Sequence, residues 1–475
     1  MPTPAADPTA SRMEEEALRL ARHGSLKAAA EVCHALTTRH PAFGPGWRAA
    51  STIALQRGDA GGALTCVDRA LGLTPDDGRS LLLKAQALHC IQRSKEAVET
   101  ANRARAQLHD DTIALESLGA LYRLAGESRL AADVYEQVLA GRPNDWRREV
   151  QLRYALAKEY EDCGDYPRAW THLEQGARTR RLNLKYDVAE DVETIDWIIS
   201  AFPDGPTTVS GFPSNEPIFI VGLPRSGATR VERILDSHPT VFSAGEINHF
   251  STALLAAVTR AAGSKTLSRQ DLVAKSARID FAALGRDYLR RTRPATGKAP
   301  HFTDKMPLNY LYCGLIRRAL PNARVIHVSR HPLGLAYTLY KTLFKDGYAF
   351  SYDLSDIGRY YLAYRKLMDH WHYSLPGAIH QLSYEQLIAD PIGETRRLLD
   401  FCRLERNDAC LASAAQIRQT SEETALSQWR HYAGQLDKLR DQLVVAGIEV
   451  SSQLCPKQSM DPSSVVKHRW RGAKP

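Results

Sequence analysis

Ile218-Phe219-Ile220-Val221-Gly222-Leu223-Pro224-Arg225-Ser226-Gly227-Ala228-Thr229 holds the densest structural information in this 475-residue chain. Its first four residues form a continuous apolar, largely β-branched run, the pattern of a strand buried on both faces of a parallel sheet. Turn residues follow, and then Val231, Ile234 and Leu235 recur at helical spacing as far as His238-Pro239. Strand, Gly-rich turn and helix N-terminus together cradle an oxyanion, because backbone N–H groups and the helix dipole both point at it. The spacing matches G-x-x-x-x-G-K-[ST] except that Ala228 stands where the lysine would be. That lysine handles the β/γ-phosphates in nucleotide triphosphatases. Here the cation inside the loop is Arg225, whose planar fork suits an oxyanion.

Upstream of this stretch, residues 205–217 (GPTTVSGFPSNEP) are rich in Gly, Pro, Ser and Thr and read as a domain boundary. Before that boundary the chain repeats itself. Pro41, Pro75, His109 and Pro143 recur every 34 residues, Ala29, Ala63, Ala97 and Ala131 precede them by twelve, and Gly24, Gly58, Gln92 and Gly126 precede the alanines by five. One helix pair per repeat explains all three positions. The Gly ends the first helix in a left-handed cap, the Ala lets two helices approach, and the Pro stops the second. A further unit reuses the Gly-to-Ala spacing at Gly164 and Ala169, four residues out of phase. This pattern resembles the tetratricopeptide repeat over residues 13–182, with Trp47 and Tyr122 at its large aromatic positions. Such an array serves either as a stacked scaffold or as a concave surface that grips a peptide or partner subunit. Arg147, Arg148, Arg178, Arg180 and Arg181 near its end suit an acidic ligand or a solvated face.

Downstream lie three more motifs: Phe302-Thr303-Asp304-Lys305-Met306-Pro307; Arg324-Val325-Ile326-His327-Val328-Ser329-Arg330 followed by Thr338; and Leu382-Ser383-Tyr384-Glu385-Gln386-Leu387. In this order they resemble the sulfotransferases that use 3′-phosphoadenosine-5′-phosphosulfate (PAPS), and within them the tyrosylprotein sulfotransferases and bacterial proteins fusing tetratricopeptide repeats to that domain. The resemblance implies a 5′-phosphosulfate loop at Arg225, Ser226, Gly227, Ala228 and Thr229. It implies a 3′-phosphate clamp at Arg330 and Thr338, and cofactor contacts at Tyr384 and Ser413. It further implies catalytic roles for Arg225, for Glu246 as general base and for Lys305 at the leaving oxygen. No metal is implied, because Arg and Lys supply the charge. His249 and His331 are set aside as bases. Three positions depart from the family pattern: Ala228 lacks a hydroxyl, Arg230 replaces an apolar residue, and Gln428 replaces a basic residue before Trp429. Uncompensated, these would weaken PAPS binding by about 10- to 100-fold; Arg230 or Arg418 could compensate.

The expected architecture is therefore multi-domain. An all-α tetratricopeptide-type array (13–182) is followed by a connecting helix and linker (183–216), an α/β phosphate-loop domain around a central parallel sheet (217–450), and a basic, disordered tail (451–475). Composition fits this plan: the net charge of +8 is modest, 44% of residues are hydrophobic, and no apolar run is long enough to span a membrane. Eight cysteines without a C-x-x-C pair fit reduced thiols in a cytoplasm. The expected activity is sulfuryl transfer from PAPS to an acceptor hydroxyl on a peptide, protein or small compound, with protein tyrosine the favoured class and the repeats recruiting acceptor or partner. Neither nucleic acid nor membrane is expected as a partner. The alternative is a non-catalytic interaction protein with a degenerate second domain; a kinase is disfavoured by the missing loop lysine.

Overall fold

In the computed structural model the chain divides into two compact units, Met1–Asn183 and Leu184–Pro475. The structure describes residues 8–143, 145–203, 211–264, 266–419 and 426–450. The basic tail at 451–475 lies outside the described residues, as does the side chain of Arg418.

The first unit is a run of helix pairs: α1 Pro8–Arg22 with α2 Leu26–Arg39, α3 Gly44–Gln56 with α4 Ala60–Leu73, α5 Gly78–Cys90 with α6 Ser94–Arg105, α7 Thr112–Leu124 with α8 Ser128–Ala140, and α9 Trp146–Asp162 with α10 Tyr166–Leu182. Each turn within a pair passes through a left-handed residue: Gly24, Gly58, Gln92, Gly126 and Gly164, with φ between 63° and 80°. The repeated alanines are sealed between helices; Ala29, Ala63, Ala97 and Ala131 are all 0% exposed. A side chain larger than methyl has no room there. The four-residue phase shift of the last unit also has a cause, since α9 has 17 residues where α3, α5 and α7 have 13. Asp59, Asp77, Asp111, Asp145 and Asp165 cap α4, α5, α7, α9 and α10 by accepting backbone N–H bonds.

In the second unit, α11 (Val188–Ala201) buries Val188, Ile195 and Ile198. It packs against α14 (Arg269–Ser276) and α18 (Leu354–Ser374), so this helix is part of the second unit's own fold. The sheet comprises β1 Pro217–Val221, β2 Val241–Ser243, β3 His301–Asp304, β4 Arg324–Ser329 and β5 Ile379–Ser383, in the order β2-β3-β1-β4-β5. Every pairing is parallel. All five residues of β1 are buried, as a central strand covered on both faces requires. The crossovers include α12 Ala228–Asp236, α13 His249–Ala262, α15 Phe281–Thr296, α16 Cys313–Ala319 and α17 Pro332–Tyr340. Beyond β5 come α19 Tyr384–Ala389, α20 Pro391–Cys402, α21 Asp408–Gln419 and α22 Asp437–Val445. One apolar core joins Ile218, Ile220, Val231, Ile234, Ile326, Val328, Leu382 and Leu398. The order in which strands are added reverses at β1, which has β3 on one side and β4 on the other. Ligands of open α/β sheets bind at such a switch point, outside the C-terminal strand ends.

Candidate active site

Four parallel strands deliver four motifs to one edge. β1 runs into the loop 222–227, β3 ends at Asp304 before Lys305, β4 ends at Ser329 before Arg330, and β5 ends at Ser383 before Tyr384. A cavity of about 830 Å³ opens there, lined by Arg225, Gly227, Ala228, Thr229, Glu246, Lys305, Arg330, Thr338 and Tyr384 among others. Nine of the eleven residues given site roles from the sequence thus meet in one space, with Arg230 and Gln428 beside them. Ser226 does not line it: its backbone donates to the Leu223 carbonyl and its side chain is buried beneath the loop. Ser413 is half-buried on α21, which packs against α12, and is also outside the cavity lining.

The loop owes its shape to three left-handed residues, Gly222, Arg225 and Gly227, with φ of 144°, 68° and 106°. At Gly227 two demands coincide. A Cβ there would approach Tyr384 Cδ2 to 2.2 Å, so only glycine lets the Tyr384 ring lie against the loop. Gly227 is also the N-cap of α12, whose first residues Ala228 and Thr229 face the cavity. Arg225 holds its φ of 68° with its carbonyl accepting from Arg330 Nη1 at 3.1 Å, which ties the two arginine-bearing motifs together. The Arg330 guanidinium also lies 5.4 Å from the centre of the Tyr384 ring. Burial lowers its pKa, opposed by Tyr384 and Glu385 and assisted by Arg225. Next to it the His331 backbone N–H donates to Glu385 Oε1 at 2.8 Å.

On the other side of the loop, Lys305 is 7% exposed, and its Nζ lies 2.7 Å from Glu246 Oε1 and 3.7 Å from Glu232 Oε2. Asp304, directly before it, accepts from Tyr288 Oη at 2.9 Å, Asn309 Nδ2 at 3.0 Å and the Met306 N–H at 3.3 Å. Burial pushes the Asp304 carboxyl up to about 7 against these bonds. The two histidines set aside in the sequence are used structurally. His249 Nδ1 sits 3.2 Å from Thr292 Oγ1, and His331 stacks on Trp429 at 4.9 Å.

Sequence reasoning missed the segment after α17. Lys341, Phe344, Lys345 and Tyr348 line the cavity. Burial raises the pKa of the Tyr348 hydroxyl, and the Glu246 charge adds to the effect. Lys341 Nζ lies 2.7 Å from Gln428 Oε1 and 4.8 Å from the Tyr337 ring centre. The charge absent at position 428 is therefore present one side chain away, held by the very glutamine that replaces it. The 3₁₀ turn Gln428–Tyr432 packs on α17, which makes this contact possible. Only the unusual Gln before Trp429 hinted at it. Arg225, Arg230, Lys305, Arg330, Lys341 and Lys345 oppose Glu246 and Asp346 around the cavity, so its lining favours anions. Among the described residues no cluster of three or more His, Cys, Asp or Glu side chains is arranged to hold a metal ion. No described helix is long and apolar enough to cross a membrane.

Residues 217–408 match the family model described as Sulfotransferase family. An uncharacterised protein of Aquifex aeolicus (strain VF5) is 30% identical over 352 residues, covering 69% of this chain and 46% of that one. The protein-tyrosine sulfotransferase of Drosophila melanogaster is 25% identical over 205 residues, 41% of this chain and 39% of that one. The chain thus spans less than half the length of either relative. A tetratricopeptide-repeat protein of Thermus thermophilus superposes at TM-score 0.30 with 17% identity, over 36% of this chain and 91% of that one. Residues 217–408 are thus similar to the sulfotransferase family, and they follow an N-terminal array of helix pairs.

Proposed function

We propose that the second unit transfers a sulfuryl group from PAPS to an acceptor hydroxyl. The carrying observation is the bond between Arg330 and the Arg225 carbonyl, which ties two cation-bearing segments together at one cavity with the Lys305–Glu246 pair in the same space. A nucleotide with anionic groups at both ends fits this set: Arg225 and the start of α12 suit the sulfate and 5′-phosphate, and Arg330, Thr338 and Lys341 suit the 3′-phosphate. PAPS is here a donor substrate. In the transfer, the acceptor oxygen forms a bond to sulfur as the bond between sulfur and the bridging phosphate oxygen breaks. Glu246 takes the acceptor proton, and Lys305 neutralises the charge left on the phosphate. Ser226 supports the loop from below, and Ser413 belongs to the nucleotide-facing set only through the family pattern.

Tyrosine in a protein or peptide is the acceptor this reading favours. Its support is the Drosophila relative and the rings of Phe344 and Tyr348 in the lining of the cavity. The repeat array would then recruit the acceptor or a partner protein. Unpaired Cys33, Cys66, Cys90, Cys163, Cys313, Cys402 and Cys410 agree with a cytoplasmic site of action. The rival reading, a degenerate domain in an interaction protein, draws on Ala228 and Gln428; Lys341 beside Gln428 weighs against it.

Calorimetric titration with 3′-phosphoadenosine-5′-phosphate (PAP) tests the nucleotide site. Arg330→Ala is expected to weaken binding about 100-fold, the effect of losing a charge-assisted pair of bonds. Absence of saturable binding to the wild type refutes the proposal. Transfer of labelled sulfate to a Tyr-containing acidic peptide, compared with Glu246→Gln, tests acceptor and base.

A further inference from the structure

Lys305 stands between two carboxylates of different character. Glu246, with a half-exposed side chain, touches its Nζ at 2.7 Å; Glu232, 7% exposed, lies on the other side at 3.7 Å. Glu232 projects from α12 one turn beyond the anion loop, and its Oε1 accepts from the buried Thr303 hydroxyl at 3.3 Å. Helix and strand therefore both fix its position. A side chain on this helix would ordinarily read as part of a solvated face, yet this one is directed into the protein interior against a cation.

Building on the function proposed above, we infer that Glu232 is a positioning residue. It keeps Lys305 paired while the Lys305–Glu246 pair opens for reaction. The physical need is specific. A carboxylate tightly bonded to an ammonium is a poor proton acceptor, so Glu246 must release Lys305 to take the acceptor proton. A buried cation that loses its partner bears an uncompensated desolvation cost. Glu232 removes that cost, because Lys305 exchanges one carboxylate for another instead of for none. Lys305 is then free to turn its remaining N–H bonds to the phosphate oxygen on which charge gathers, as the acceptor proton passes to Glu246. Glu232 touches neither substrate, so it acts through Lys305. Glu246 is the other carboxylate paired with Lys305 Nζ, and the Asp304 carboxyl, next to it in sequence, is engaged by Tyr288, Asn309 and the Met306 N–H.

The test is a double-mutant cycle on the full chain: wild type, Glu232→Gln, Lys305→Ala and the double variant, each assayed for PAP affinity and sulfate transfer to a phenolic acceptor. Glu232→Gln is expected to lower kcat about 10- to 100-fold with PAP affinity within about two-fold of wild type. In the Lys305→Ala background the same change is expected to alter kcat less than about two-fold, because residues acting through one another are not additive. Additive losses, an unchanged kcat, or a loss confined to PAP affinity overturns the role of Glu232. Should Glu232→Gln fail to fold, Thr303→Val loosens the same carboxylate. Its expected few-fold loss in kcat must vanish when Lys305 is Ala, and persistence overturns the inference. A wild type that binds no PAP refutes the sulfotransferase reading and this role with it, whereas an active wild type with additive losses refutes this role alone.

Discussion

In the repeat array, Arg48 meets Asp77 at 3.0 Å and Arg79 meets Asp111 at 2.6 Å, each pair spanning from one helix pair to the next with both side chains partly exposed. In the second unit, Glu232, Asp304, Lys305 and His327 are all buried, and the first three cluster beneath one cavity. Surface pairs contribute little and are tolerated anywhere. Buried charged groups carry a desolvation cost that a scaffold does not need. The contrast is one of clustering: the array buries Glu159 and His172 on separate helices, while the second unit gathers Glu232, Asp304 and Lys305 where β1 and β3 end.

The largest expected effect comes from removing one such group. Asp304 has its carboxyl raised to about 7 by burial, against about 3.9 in an unfolded chain. The neutral form is thus favoured in the fold. Its stabilisation is complete below about pH 3.9, declines as pH rises, and is gone above about pH 7. Asp304→Asn keeps a neutral, isosteric group among Tyr288, Asn309 and the Met306 N–H. Relative to wild type, its unfolding free energy is expected to improve by about 2–3 kcal/mol between pH 5 and pH 8, because each pH step of one between the two pKa values is worth about 1.36 kcal/mol. Urea unfolding across that range checks it. A pH-independent difference would mean that the second unit does not hold a strained carboxyl and would erase this part of the contrast.

A smaller effect is expected at the cavity rim. Lys341→Ala removes the cation beside Gln428. PAP affinity is expected to fall about 10-fold, worth about 1.4 kcal/mol, while affinity for adenosine 5′-monophosphate, which lacks the 3′-phosphate, changes less than about two-fold. Equal losses for both nucleotides would move Lys341 away from the 3′-phosphate end.

The sequence could disclose whatever obeys a local rule. Left-handed caps at Gly24, Gly58 and Gly126 and sealed alanines recur because each helix pair imposes the same steric demand, so the array was legible from period alone. The four strand-end motifs were legible because a loop that cradles an anion constrains its own residues, as Gly227 against Tyr384 illustrates. What stayed hidden depends on contacts between distant segments. Lys341 gains its meaning from Gln428, 87 positions away, and Glu232 from Lys305, 73 positions away. Neither lies in a motif, and neither spacing is periodic. Asp304 was visible only as a letter beside Lys305, since its burial is set by Tyr288 on α15.

The smallest effect belongs to the array and bears on the other half of the contrast. Arg79 has a side chain 61% exposed and bonds Asp111 at 2.6 Å, across the junction between successive helix pairs. Asp111 has a second task, accepting the Ala114 N–H at 3.1 Å as the cap of α7. Arg79→Ala leaves that cap in place, so hydrogen exchange of the α5–α8 amides is expected to report a loss below about 1 kcal/mol, shrinking further in 1 M salt. Asp111→Ala removes pair and cap together and is expected to cost about 1 kcal/mol more. If Arg79→Ala instead cost more than about 2 kcal/mol, the inter-repeat ion pairs would be structural elements in their own right. Charge pairs would then stabilise the array in its own right, and its difference from the second unit would narrow to the clustering of buried groups at the cavity.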